Sequence, residues 1–169
     1  MTYTTTQDSP LGRLRLAADE TGLTGIWFED GKYALEGLDP DHVEQETPVL
    51  AETRHWLEEY FSGKVPAFLP PLHPAGSPFR QAVWKLLLEI PYGQTTTYGA
   101  LAAQLAKQQG RDRMSAQAVG GAVGHNPISI LIPCHRVVGT DGSLTGYAGG
   151  LERKRFLLRL EGIQNVPEK

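Results

Sequence analysis

A single cysteine with basic neighbours is the chemically most informative feature of the chain. Cys134 ends an apolar, β-branched run and is followed directly by His135 and Arg136. A thiol is a strong nucleophile only as the thiolate, and nearby cationic groups favour that form, so these neighbours predict a lowered pKa for Cys134. The run at 130–132 reads as a strand that stops at Pro133, which would present the sulfur at the edge of an element. The alternative is a small buried apolar residue without chemistry, as lone cysteines usually are.

His135 is the candidate base for the thiol. A side chain seldom points well at the residue directly before it, so we expect the proton to pass through a water molecule. A histidine base also needs a carboxylate that fixes its tautomer. In the second half of the chain, Glu161 is the acid without an obvious solvent role. A cysteine hydrolase fits less well, because its histidine comes from a distant segment and no oxyanion hole is evident in the sequence.

Charge divides the chain into two unlike halves. Residues 1–76 hold 5 Lys and Arg against 13 Asp and Glu, a net charge of −8, whereas residues 77–169 hold 11 against 6, a net charge of +5. A basic half predicts contact with a polyanion such as nucleic acid. The alternative is two ordinary solvated surfaces, and the charge pattern alone does not exclude it.

Composition indicates a compact protein rather than a membrane or secreted one. The chain has 169 residues, of which 40% are hydrophobic, and no apolar run approaches the ~20 residues that span a bilayer. The N-terminus lacks the basic and apolar stretches of a signal peptide. One cysteine cannot form an internal disulfide, and no cysteine and histidine cluster has zinc spacing. We therefore expect a cytoplasmic protein with no cofactor and no metal.

The first third of the chain predicts strands followed by a helix. Short strands are expected at 3–6, 14–17 and 23–28, and a helix begins with Thr47 as N-cap and Pro48 at its first position. The stretch from 66 to 78 carries five prolines and a glycine. That composition predicts a linker at 66–77 between a domain at 1–65 and a second domain at 78–169.

The second domain is predicted to be mainly helical. Ser77 and Pro78 open one helix, Thr97 caps a second, and Ser115 to Gly124 form a third that is rich in small residues. A last, basic helix runs from 151 to about 161 and is closed by Gly162. The second and third helices make a helix-turn-helix candidate. Tight helix packing is the alternative explanation for the alanines and glycines of the third helix.

The segment Pro133-Cys134-His135-Arg136-Val137 resembles the active-site signature of the O6-alkylguanine-DNA alkyltransferases, also called methylated-DNA–protein-cysteine methyltransferases. Further segments match in family order across residues 77–162, namely 118–122, 126–127, 130–132, 146–151, 157–158 and 161–162. The acidic N-terminal part fits the family only loosely. The resemblance implies an α+β fold: a small ribonuclease H-like α/β domain, then a mainly helical winged helix-turn-helix domain for DNA binding and catalysis.

The resemblance also implies roles for individual residues in a suicide repair protein. An alkylated guanine is flipped out of duplex DNA, and the sulfur of Cys134 attacks the alkyl carbon. His135 would be the base acting through water, and Glu161 would orient it. Asn126 would brace the active-site turn, and Tyr98 would crowd the target phosphate and donate a proton to the departing guanine. The thioether has no chemical route back to a thiolate, so each molecule is expected to act once.

Base-pocket and DNA contacts follow from the same resemblance. The base pocket would be lined by Val137, Tyr147, Ala148 and Gly149. The third helix would enter the minor groove of double-stranded DNA, and the predicted DNA contacts are Thr97, Tyr98, Ser115, Ala116, Gln117, Ala118, Gly120 and Arg136. For Arg136 a structural ion pair is the alternative. We expect a monomer, with cooperative binding along DNA left open.

Gln117 departs from the family pattern. The family usually has an arginine there, which enters the base stack where the guanine left. Glutamine has comparable reach but lacks the charge and the planar guanidinium that stacks on bases. It is therefore expected to fill the gap less well.

Two other classes of protein remain in competition on sequence grounds. Alkyltransferase-like proteins recognise lesions without catalysis but lack the cysteine, so Cys134 argues against that class. A winged-helix regulator with a redox-sensitive thiol is the second alternative. Transfer of a labelled alkyl group to the protein separates both alternatives from the repair function.

Overall fold

A computed structural model describes residues 1–167 and divides them into two compact units. The first comprises Met1–Ala75 together with Pro127–Leu131, and the second comprises Gly76–Asn126 and the chain from Ile132 onward. The structure therefore differs from the predicted boundaries in two places. Residues 66–75, predicted as linker, belong to the first unit, and so does a short segment from the middle of the predicted second domain.

The first unit is built on a four-stranded sheet. Its strands are β1 (Thr2–Ser9), β2 (Gly12–Ala18), β3 (Leu23–Phe28) and β4 (His42–Glu44), in the order β3-β2-β1-β4. The three predicted strands pair antiparallel, whereas β4, which the sequence pattern misses, pairs parallel to β1. In β2 the buried Leu14 and Leu16 alternate with exposed Arg13 and half-buried Arg15. This period of two is typical of a half-buried strand.

Helix α1 (Pro48–Phe61) contacts this sheet. Thr47 caps it as predicted, with its hydroxyl accepting a hydrogen bond from the Leu50 amide. A buried face with helical spacing, which includes Leu57 and Tyr60, packs toward the strands and supplies the core of the unit.

Two distant segments add to β3. Leu23 exchanges backbone hydrogen bonds with Pro71 and His73, at 2.8 and 2.7 Å. Ile26 bonds in the same way to Pro127 and Ser129, at 2.9 and 3.1 Å. These bonds satisfy backbone groups that would otherwise be exposed at a sheet edge. They explain why both segments belong to the first unit.

The second unit is mainly helical. Its helices are α2 (Pro78–Leu88), α3 (Tyr98–Gln108), α4 (Ala116–Gly124) and α5 (Leu151–Leu160). The first three contact one another, and the buried Trp84 donates from Nε1 to the Ala122 carbonyl at 2.9 Å. Ser77, Thr97 and Ser115 cap their helices through side-chain oxygens. The sequence predicts the cap at Thr97 and the helix starts at Ser77 and Ser115.

A two-stranded parallel ladder completes the second unit. It joins β5 (Thr96–Thr97) to β6 (Val137–Val138), and neither strand is predicted from the sequence. Among residues 1–167, no helix is long and apolar enough to cross a membrane. Within the same described residues, no group of three or more His, Cys, Asp and Glu side chains is placed to hold a metal ion.

Candidate active site and DNA-binding surface

The chain reaches Cys134 through two tight turns rather than along a strand. Ile130 has φ 73°, and the Leu131 amide donates to the Ser129 carbonyl at 2.9 Å, which is a γ-turn. A second bond, from the Cys134 amide to the Ile132 carbonyl at 2.8 Å, closes a turn around Pro133. Positive φ is costly for a β-branched residue, so the predicted strand is wrong here. Cys134 instead opens a short 3₁₀ helix, Cys134–Arg136.

Asn126 holds this turn from the preceding segment. Its side-chain nitrogen donates to the Ile132 carbonyl at 2.7 Å, and its side chain also hydrogen-bonds the Cys134 thiol. Both residues are buried, with Cys134 only 6% exposed. The predicted bracing role of Asn126 agrees with this geometry, and the role itself stays a prediction.

The thiol is not activated in the resting protein. Burial raises the pKa of Cys134, while the Asn126 hydrogen bond and the charge of Lys154 oppose that shift. The expectation of a lowered pKa from His135 and Arg136 is therefore wrong. The reason is that Arg136 is bound elsewhere, whereas desolvation disfavours the thiolate. A protected thiol needs a base that acts at the moment of reaction.

His135, Arg136 and Glu161 form one buried network. His135 Nε2 lies 2.6 Å from Glu161 Oε2, and Arg136 donates from Nε to Oε1 at 2.8 Å and from Nη2 to Oε2 at 3.1 Å. Arg136 Nη1 also donates to the Ile90 carbonyl at 2.7 Å, and the Gly93 amide donates to Glu161 Oε1 at 3.0 Å. Arg136 is thus in the ion pair that the sequence left as an alternative, and we do not count it among the DNA contacts.

The network fixes protonation states suited to base catalysis. Burial alone would raise the pKa of Glu161, but hydrogen bonds and charges from His135 and Arg136 lower it to about 2. Burial lowers the pKa of His135, so its imidazole is neutral at pH 7. Because the ionised Glu161 carboxylate can only accept hydrogen bonds, Nε2 of His135 carries the hydrogen and Nδ1 keeps the lone pair. His135 can therefore take up a proton, and Glu161 stabilises the cation that forms.

A loop at 145–149 and a buried lysine lie beside this network. The Lys154 ammonium donates to the carbonyls of Val137, Thr145 and Gly146 at 2.6, 2.9 and 3.3 Å. The Tyr98 hydroxyl donates to the same Thr145 carbonyl at 3.1 Å. Burial lowers the pKa of Lys154 to about 8. Sequence reasoning misses Lys154, because a lysine in a basic helix looks like a solvated side chain.

Of the residues predicted for the base pocket, Tyr147, Ala148 and Gly149 lie in this loop, and Val137 shares the hydrogen-bonding partner Lys154 with it. Val137 is fully buried and is tied to the loop through Lys154. Tyr147 and Ala148 are half-buried, and Gly149 is buried. Burial raises the pKa of Tyr147 well above 10, and the charge of Cys134 adds to the effect. The charge of the thiol is therefore felt by the tyrosine of the loop.

The residues predicted for DNA contact form an exposed surface at the start of α4. Ser115, Ala116, Gln117 and Ala118 are exposed, and Gly120 is half-buried beside the ring of Tyr98. The loop before α4 adds the exposed guanidinium groups of Arg111 and Arg113. Thr97 is half-buried and caps α3. Small side chains leave the α4 backbone accessible to a partner surface.

Comparisons with known proteins agree with this description. A family model described as "6-O-methylguanine DNA methyltransferase, ribonuclease-like domain" matches residues 1–74, and one described as "6-O-methylguanine DNA methyltransferase, DNA binding domain" matches residues 78–163. The chain is thus an α+β protein with a ribonuclease-like first domain and a DNA-binding second domain, which confirms the predicted fold class.

Individual relatives cover nearly the whole chain. A methylated-DNA–protein-cysteine methyltransferase of Haemophilus influenzae is 48% identical over 166 residues, which are 97% of this chain and 88% of the relative. One of Methanosarcina acetivorans is 46% identical over 92% of this chain and 95% of its own. The crystal structure of Mycobacterium tuberculosis OGT in complex with DNA is 42% identical, with a TM-score of 0.79 over 94% of this chain and 92% of that one. The chain therefore belongs to the methylated-DNA–protein-cysteine methyltransferase family.

Proposed function

We propose that this protein repairs DNA by moving the alkyl group of an O6-alkylguanine to Cys134 in a single irreversible step. The observation that carries this proposal is the buried thiol beside a His135–Glu161 relay, within a DNA-binding domain. The names of the relatives, which are methylated-DNA–protein-cysteine methyltransferases, support the same reaction.

We assign the steps of the transfer to Cys134, His135 and Tyr98. His135 takes the thiol proton through a water molecule, and the sulfur then attacks the alkyl carbon while the bond from that carbon to O6 breaks. Guanine leaves poorly as an anion, so a proton donated by Tyr98 lowers the barrier. His135 then gives up, through water, the proton that it took from the thiol, and Tyr98 is reprotonated, so the protons balance. The product is a thioether on Cys134 and an unmodified guanine in the DNA. Proton transfer alone cannot regenerate a thiolate from a thioether, so each molecule turns over once.

Access to O6 requires the target base to leave the helix, because a protein nucleophile cannot reach that atom inside the base stack. We propose that α3 and α4 act as a helix-turn-helix whose second helix lies in the minor groove. The exposed Ala116, Ala118 and Gly121 permit the close approach that a minor-groove contact needs. Gln117 would then occupy the gap left by the flipped guanine. One protein molecule per lesion is sufficient for this arrangement.

Intact-protein mass after incubation with a duplex containing one O6-methylguanine tests the proposal. We expect one methyl group in place of the thiol hydrogen, located on Cys134 by peptide mapping. The amount of methylated protein should equal the amount of lesion when protein is in excess. Tight binding of the lesion with no change in protein mass would instead place the chain among lesion-binding proteins without transfer.

DNA affinity is expected to fall steeply as salt rises. Arg111 and Arg113 are exposed beside α4, and each phosphate neutralised by a basic side chain releases counterions. The measurement is the slope of log affinity against log salt for an unmodified duplex. Replacing both arginines with glutamine should make the slope less steep by about two. A slope near zero in the unmodified protein would contradict a phosphate-binding surface.

Gln117→Arg is expected to strengthen duplex binding and speed repair of duplex DNA. A guanidinium stacks on neighbouring bases and gains electrostatically near the phosphates. The free base O6-benzylguanine needs no flipping, so its reaction rate should stay the same. The comparison is the ratio of the two rates in each protein. Gln164→Arg adds the same charge at an exposed site outside α4 and should leave the ratio unchanged. Equal acceleration on both substrates would place residue 117 in the pocket instead.

A further inference from the structure

Lys154 and Tyr98 donate hydrogen bonds to the same acceptor. The Lys154 ammonium lies 2.9 Å from the Thr145 carbonyl oxygen, and the Tyr98 hydroxyl lies 3.1 Å from it. Lys154 is fully buried, and its other two hydrogen bonds go to the carbonyls of Val137 and Gly146. The three donors of the ammonium are thus used on backbone carbonyls, one in β6 and two in the loop. The ammonium therefore ties the Thr145 carbonyl to the strand that follows the nucleophile.

The hydrogen bond from Tyr98 to Thr145 competes with the proposed transfer. A phenol has a single hydrogen to donate, and in this structure the Tyr98 hydroxyl directs it to Thr145. The departing guanine needs the same hydrogen, so the bond to Thr145 has to break during the reaction. Leaving a carbonyl without a donor is destabilising where a bound base excludes water. Here one donor remains, because the Lys154 ammonium bonds the same oxygen.

We propose that Lys154 is a positioning residue that keeps the Thr145 carbonyl hydrogen-bonded while the Tyr98 hydroxyl turns from that carbonyl to the departing guanine. The inference rests on the proposed function, with Tyr98 as the proton donor. The Tyr98 proton passes to guanine as the bond from the alkyl carbon to O6 breaks, and Tyr98 is then reprotonated through water. Lys154 itself transfers no proton. Burial lowers its pKa only to about 8, so at pH 7 it is mainly a cation with three donors.

The test is a double-mutant cycle on the rate of methyl transfer from a duplex that contains O6-methylguanine, with protein in saturating excess. Lys154→Met keeps an unbranched side chain without a donor, and Tyr98→Phe removes the hydroxyl that moves. We expect Lys154→Met to slow transfer about tenfold more in the otherwise unmodified protein than in the Tyr98→Phe background, the factor that one net hydrogen bond provides. In that background no hydroxyl leaves Thr145, so the second donor is not needed during the reaction.

A purely structural role for Lys154 gives a different result. Lys154→Met would then slow transfer by the same factor in both backgrounds, and that outcome overturns the inference. Because Lys154→Met removes three hydrogen bonds and is expected to lower stability, Lys154→Gln serves as a second variant. Its amide fills the site with a polar group but ends one atom short of the ammonium, so it should show the same dependence on Tyr98. Urea unfolding of each variant establishes that it is folded.

The inference and the proposed function fail in distinguishable ways. If the unmodified protein accepts no methyl group from the duplex, the proposed function is wrong and the inference falls with it. If transfer occurs and Tyr98→Phe alone leaves its rate unchanged, Tyr98 is not the proton donor, and the inference is overturned while transfer to Cys134 stands. If Tyr98→Phe slows transfer but the two substitutions act independently, only the role of Lys154 is wrong.

Discussion

Replacing Cys134 with alanine is expected to abolish alkyl transfer while lesion binding is largely retained. The sulfur supplies the nucleophile, whereas affinity comes from phosphate contacts and the pocket loop. The thiol makes one hydrogen bond to Asn126 and is nearly fully buried, so its loss should change the structure little. The measurements are intact-protein mass after reaction and equilibrium binding to a duplex containing O6-methylguanine.

Cys134→Ser provides the matched control for size and polarity. Serine keeps a hydroxyl that can form a hydrogen bond with Asn126. An alcohol has a far higher pKa than a thiol, however, so it remains a poor nucleophile with His135 as the base. Both variants should therefore bind the lesion and show no change in mass. Methylation of the alanine variant at the stoichiometry of the lesion would show that another residue is the acceptor. Loss of binding in both variants would show that the thiol is part of the recognition surface.

Local signals in the sequence are enough to place the helices. Thr47, Ser77, Thr97 and Ser115 are predicted to begin helices, and each accepts a hydrogen bond from a backbone amide three residues later. This success has a simple cause, because a cap satisfies a donor within its own turn and so depends on neighbours in sequence.

Pairing between distant segments is not predictable in the same way. The strands β4, β5 and β6 are two or three residues long, and each exists only because a distant strand supplies its partner. The apolar run at 130–132 has strand composition, yet Ile130 lies in a γ-turn, and the residues that bond to β3 are Pro127 and Ser129, which come before the run. The residue types in a segment indicate how well it fits into a strand. They do not indicate whether another strand lies beside it to form the hydrogen bonds.

The buried charged residues of the site are only partly predictable from the sequence. The predicted pairing of Glu161 with His135 agrees with their 2.6 Å contact, because a histidine base needs a carboxylate and the basic half holds few acids. Nothing in the sequence distinguishes Lys154 from its basic neighbours Arg153 and Arg155. Only the fold shows that Lys154 is the one of the three that is fully buried. The raised pKa of Cys134 is also a property of burial, so the residues next to it in sequence predict the wrong direction.

Glu161→Gln is expected to destabilise the protein at neutral pH and to slow transfer sharply. The change leaves Arg136 buried without its carboxylate, and breaking one side of a buried ion pair costs about 3–5 kcal/mol of unfolding free energy. It also removes the charge that stabilises protonated His135, so the base is weakened. Urea unfolding at pH 7 measures the first effect, and the single-turnover rate with a duplex substrate measures the second. Glu152→Gln, an exposed position on α5, should change neither.

The pH dependence identifies the carboxylate as the cause. Because the pKa of Glu161 falls from 4.5 to about 2 on folding, its stabilisation is present above pH 4.5 and is lost as the pH falls toward 2. That shift corresponds to about 3 kcal/mol of unfolding free energy. The unmodified protein should therefore lose stability steeply between about pH 5 and 2. Glu161→Gln has no carboxylate to protonate, so the difference in unfolding free energy between the two proteins should become smaller over this pH range. His135 adds a loss of stability below pH 6.5 through its own lowered pKa, which is coupled to the charge of Glu161. If the difference in unfolding free energy stays constant down to pH 3, Glu161 stabilises the fold by its shape and hydrogen bonds rather than by its charge.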